Sequence, residues 1–281
     1  MISLILSIVF TVVLFLCFKE FEKKGVNTHQ AITINYITAS LLAYFIYNKD
    51  ISIEELISST WIYPTISLGI FFVIMFNIMA TTTQKLGVSI AAMSSKMSLI
   101  IPVLLSYFFY PEVKISALQF SGIILALVAV YCTFKKQQTS VHSLNIAILL
   151  FIGAGTLDAS IDYIETIFLN QQDDEYNKFI ITIFSVAFIT GLVKMIFDKS
   201  QIKLKSVFSG MILGVPNYFS IYFILKSLEE LGGIIVFPVL NIGVVLLSSI
   251  ISYVYYKEEM SLLNWSGISL SCISIILILS V

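Results

Sequence analysis

Ten long apolar blocks, each ended by charges, Pro, Gly or Asn, constrain this chain more than any other feature. They run from Ile2 to Phe18, Gln30 to Tyr47, Trp61 to Thr82, Val88 to Tyr110, Ile115 to Phe134, Leu144 to Leu169, Phe179 to Phe197, Val207 to Ser227, Gly233 to Tyr256 and Leu262 to Ser280. About 20 apolar residues suffice for an α-helix to cross the hydrocarbon layer, where a helix satisfies its own backbone hydrogen bonds. The blocks predict an all-α integral membrane protein of ten transmembrane helices. Connections are short, so no soluble catalytic or regulatory domain fits outside the bilayer. The charged share, 12%, is about half that of a soluble domain, and so much apolar surface excludes intrinsic disorder. No positive residue precedes the first block and no cleavage site follows it. Lys19, Glu20, Glu22, Lys23 and Lys24 come next instead, so the block reads as a retained span extending into Lys19 and Glu20 rather than a signal peptide.

The chemistry left to the chain is narrow. All sixteen basic residues are Lys. Without the guanidinium fork, anions must be held by Lys, amides, hydroxyls or backbone groups, and with a near-neutral balance no nucleic-acid partner is expected. Cys17, Cys132 and Cys272 stand singly in apolar blocks and read as small fillers. His29 and His142 fall in polar connections without other ligands at metal spacing, so neither a metal nor a cofactor is expected. No nucleophile-elbow, zinc-protease or phosphate-loop pattern occurs, which argues against an enzyme.

A shift of 145 residues lays the second half over the first. It brings Leu86-Gly87 onto Leu231-Gly232 and Leu118-Gln-Phe-Ser-Gly-Ile123 onto Leu263-Asn-Trp-Ser-Gly-Ile268, and pairs Gly69 with Gly214 and Glu20 with Glu165. Duplication predicts two five-helix repeats, 1–138 and 139–281. Five is odd, so the repeats enter the membrane in opposite senses. Secondary transporters with inverted repeats place their solute site between the halves near the midplane.

The run from Leu86-Gly-Val-Ser-Ile-Ala-Ala-Met-Ser-Ser-Lys96 through Pro102-Val, Tyr110-Pro-Glu112 and Ser121-Gly122 resembles spans 4 and 5 of the drug/metabolite transporter superfamily, in its EamA-type members. Leu231-Gly-Gly, Pro238, Glu258 and Ser266-Gly267 resemble spans 9 and 10. The resemblance implies a two-lobed basket with a central cavity lined by spans 1, 3, 4, 6, 8 and 9, moving amino acids, other metabolites or drugs. Two departures stand out: Glu112 and Glu258 align at a shift of 146, and the partner of Lys96 is the neutral Asn241.

A charge at mid-membrane costs about 2.5 to 3.5 kcal/mol on insertion scales, so each one calls for a partner, a wet cavity or a task. Lys96 stands eight residues into the fourth block, about 12 Å along a helix, and is either a cavity charge or a snorkelling stem. Asp158, Asp162 and Glu165 follow spacings of four and three on one helical face, Asp158 deepest. The reading that joins them sets Lys96 and Asp158 on opposite ends of a zwitterionic or polar solute. Burial disfavours a carboxylate and a neighbouring lysine favours it, which would link binding to proton uptake. Further substrate-binding candidates are Asn77, Asn217, Tyr218 and Asn241, the last for its equivalence to Lys96, while buried amides also simply bond neighbouring helices. Pro102, Pro216 and Pro238 would bend their spans. Gly210 and Gly214 form a small-x-x-x-small pattern read as packing within one chain.

The expected function is a multi-pass secondary transporter of the cytoplasmic membrane, exporting small polar or zwitterionic metabolites by alternating access. Its partners would be the solute, the lipid bilayer and protons as coupling ion, in a monomer or homodimer. Multidrug or lipophilic-cation efflux and lipid handling are the alternatives. Lysine counts, ten on the face opposite the termini and four on theirs, put the termini outside; the resembling superfamily implies cytosolic termini.

Overall fold

The described residues of every apolar block are mostly helical. The computed structural model describes residues 1–109, 116–134, 141–169, 173–198, 201–231 and 233–279. Among them are α1 (Ile2–Lys23), α2 (Thr28–Tyr47), α3 (Ile53–Ser58), α4 (Ile62–Leu86), α5 (Val88–Met97), α6 (Ile100–Phe109), α7 (Ala117–Phe134), α8 (Val141–Ile164), α9 (Asp173–Phe197), α10 (Leu204–Leu231), α11 (Gly233–Val254) and α12 (Leu262–Leu279), with a π-helical turn at Glu165–Leu169 and no strand. The protein is all-α, and among the described residues four helices are long and apolar enough to cross a membrane: Ile2–Lys23, Ile62–Leu86, Glu175–Phe197 and Leu204–Ile224. Helix α2 is more polar because Gln30, Thr33, Asn35 and Ser40 are buried against protein.

Local chemistry sets the helix ends. Asn27 caps α2, its side chain accepting from Gln30 N, and Asn48 ends α2 in the left-handed region at φ 50°, donating its backbone N–H to Tyr44 O. The fourth block departs from expectation. Instead of one helix it forms α5 and α6, broken at Ser98 and Leu99. Pro102 lacks the N–H that would bond the Ser98 carbonyl, so that carbonyl accepts from Ile101 N at 2.8 Å in a tighter turn, and Ser98 Oγ bonds Ser95 O at 2.6 Å. Pro216, in contrast, is carried inside an uninterrupted α10.

Contacts sort the chain into two compact units. Unit 1 comprises 1–19, 78–156 and 219–281; unit 2 comprises 20–77 and 157–218. Each draws chain from both sequence halves. In unit 1, α7 packs on α12 and α5 on α11 around Met93, Met97, Ile100, Ala126, Ala129, Val245 and Ile275. A Cβ on Gly122 would come within 2.9 Å of Ile278 N, and Ser274 Oγ donates to Gly122 O at 2.8 Å. Such close approach gives helices in lipid their dispersion contact. In unit 2, α2 packs on α9. Ser40 Oγ lies 2.8 Å from Ser185 Oγ, and the buried Tyr36 donates to Phe72 O at 3.0 Å. Gly210 and Gly214 seat α10 on α2: Cβ atoms there would meet Ala31 O at 2.5 Å and Asn35 O at 2.8 Å. The pattern is packing within one chain.

Candidate functional site

Lys96 and Asn241 belong to unit 1. Lys96 is half-buried in the last turn of α5, just before the break, where the helix dipole favours a cation. Asn241 is buried on α11. Helices α5 and α11 meet where Ser89 Oγ lies 2.8 Å from Ser249 Oγ. Taken as an antiparallel pair, seven residues forward from Ser89 and seven back from Ser249 set Lys96 level with Ile242, one residue from Asn241. Gly155 of α8 packs on the break itself. A Cβ there would lie 2.6 Å from both Ser98 O and Ile101 Cδ1, so only glycine lets α8 come this close.

The N-terminus of α5 is held by a residue that the sequence leaves in a connection. Gly87 takes φ +96° and Val88 N donates to Glu258 Oε1 at 3.2 Å, while Ser252 Oγ donates to the other carboxylate oxygen. A side chain on Gly87 would collide with that carboxylate. Glu258 thus supplies a negative charge and an acceptor to the unsatisfied amides of a helix start. The repeated Gly before span 4 was the signal available in sequence.

Unit 2 holds Asn77, Asp158, Asp162, Asn217 and Tyr218. Asp158 and Asp162 lie on α8, which ends at Ile164, and Glu165 opens the π-helical turn. Asp158 is exposed on the protein rather than buried within it; the side chains of Asp162 and Glu165 lie outside the described residues. Asn217 and Tyr218 are buried on α10, next to Pro216. Asn35 is fully buried on α2 with neither amide atom hydrogen-bonded.

Asn77 is brought to a partner that sequence reasoning left in a connection. Its Nδ2 donates to Val73 O at 2.7 Å, and its Oδ1 lies 3.3 Å from Nδ1 of His29. His29 sits in the first turn of α2, ahead of the apolar block that begins at Gln30 and so outside the expected span. Burial first, and then Lys194, hold its imidazole below the usual histidine range, against the Asn77 bond and Asp198. Residues 29 and 77 are joined only by tertiary packing, which no local pattern signals.

No known protein-family profile matches the chain. An uncharacterized protein of Haemophilus influenzae strain Rd is 28% identical over 283 residues, spanning 96% of this chain and 94% of its own length. A protein solved by crystallography shares the fold at 11% identity, with a TM-score of 0.61 over 98% of this chain and 94% of that one.

Proposed function

We propose that the chain is a secondary transporter, an exporter of small polar or zwitterionic metabolites such as amino acids, made of ten spans in two inverted five-span repeats in the cytoplasmic membrane. The observation that carries the reading is the broken fourth block, with a half-buried Lys96 at the break and its repeat equivalent Asn241 close to the same level on α11. Interrupted helices with polar groups at the break are how transporters of this design bind solutes at membrane depth. The repeat layout is supported by packing: α2 with α9, α5 with α11 and α7 with α12 each join a block to the one that the 145-residue shift makes its equivalent. Lys96 takes the carboxylate end of the solute. The exposed Asp158 favours a second reading, efflux of lipophilic cations.

Purified protein in liposomes, offered labelled amino acids and lipophilic cations, tests both readings. Lys96→Ala is expected to abolish amino-acid flux at unchanged protein level, and Asp158→Asn to abolish cation flux if the second reading holds. Normal flux in both variants removes these residues from the site, and a wild-type chain that moves no solute ends the transporter reading.

A further inference from the structure

The Asn77 amide fixes the state of the His29 ring. Because its Nδ2 is committed to Val73 O, the atom presented to His29 Nδ1 is Oδ1, which can only accept. Nδ1 must therefore carry the ring proton. In a neutral imidazole this leaves the lone pair on Nε2, and Nε2 is buried with no hydrogen-bond partner. An acceptor left unpaired inside a protein is costly and calls for an occupant. The residue as a whole is only half-buried. The charged groups acting on it come from the end of α9, where Lys194 opposes a charge on the ring and Asp198 favours one; α4 presents the neutral Asn77.

We propose that His29 Nε2 is a proton-acceptor site, held in the Nδ1–H form by Asn77 and offered to the proton that drives transport. The occupied state is the imidazolium, formed by moving one proton from hydronium to Nε2 with release of water and a gain of one positive charge, and emptied by the reverse step. The site stands on its own geometry; only the use made of the proton rests on the transporter reading.

The full chain contains two histidines, His29 and His142, so nitrogen-15 histidine NMR in nanodiscs resolves two rings, assigned with His29→Gln. The His29 ring is expected as the Nδ1–H tautomer at neutral pH, protonating reversibly with a midpoint below 6.5. Asn77→Asp puts a carboxylate against the ring and is expected to raise that midpoint by about one pH unit or more. In proteoliposomes, solute flux driven by an imposed pH gradient is expected to lose its dependence on the gradient in His29→Gln. An Nε2–H tautomer, or a ring still neutral at about pH 4, more than two units below the usual histidine value, overturns the site. Gradient dependence that survives His29→Gln overturns its role in coupling. A ring that titrates as expected in a wild-type chain that moves no solute leaves the site intact and sinks the transport reading alone.

Discussion

Ser40 and Ser185 meet hydroxyl to hydroxyl at 2.8 Å, and they are separated in the chain by 145 residues, the displacement that lays the second half of the sequence over the first. If the halves are repeats, as proposed, a residue in contact with its own equivalent would sit on the axis that relates them. The contact should therefore tolerate identical changes on both sides. In a background with Cys17, Cys132 and Cys272 replaced, Ser40→Cys with Ser185→Cys is expected to form a disulfide under mild oxidation, seen as a mobility shift reversed by reductant. Failure to cross-link would place α2 and α9 in another register.

The break between α5 and α6 depends on the missing side chain of Gly155. A methyl group there would meet a backbone carbonyl and Ile101 at 2.6 Å, and overpacking of this kind costs about 1–3 kcal/mol. Gly155→Ala should lower the melting temperature in detergent by several degrees, whereas the same change at Gly25, with nothing within 4 Å, meets only the strain of its φ of +60°.

Glu258 is expected to stabilise the start of α5. Replacing it by Ala removes both an acceptor for Val88 N and a charge at the helix N-terminus, worth about 0.5–2 kcal/mol by analogy with lost caps. Hydrogen exchange at Val88 and the following amides would show the loss locally, and Glu258→Gln should recover part of the protection.

Protonation of His29 should also appear in stability. Its folded pKa lies below the unfolded value of 6.5, so between the two the unfolded chain binds more protons than the native one. That contribution is complete above 6.5 and is lost as pH falls to the lowered folded value. Melting temperatures recorded from pH 7.5 downward should fall across that window in the wild type and flatten there in His29→Gln.

Asn35 offers the opposite sign. An amide buried with both polar atoms unpaired costs about 1–3 kcal/mol for each unmet bond, so Asn35→Leu should raise the melting temperature. A drop would mean that the amide has a partner in the membrane-embedded protein.

The sequence made the helices legible because apolar blocks in lipid have one backbone solution, and Lys96 was visible as a charge within such a block. Pro102 announced a bend, yet the break falls four residues earlier, at the carbonyl that a proline deprives of its donor. What remained illegible depends on distant packing: His29 reads as a loop histidine until α4 delivers Asn77, and no local pattern shows that Glu258 meets the start of α5 at Gly87. The π-helical turn at Glu165 to Leu169 was likewise illegible, because nothing in those five residues states it in advance.

The interruption at Ser98 separates two costs that a continuous helix would combine. A straight span that bends during a transport cycle must break hydrogen bonds at that moment, and the loss enters the barrier. Here the regular i to i−4 bond is already missing at Pro102, its carbonyl held by Ile101 and Ser98 tied to Ser95. The loss was incurred when the chain folded, so if the chain transports as proposed, a tilt of α6 against α5 would proceed without that penalty, and the joint would trade stability for speed beside the half-buried lysine.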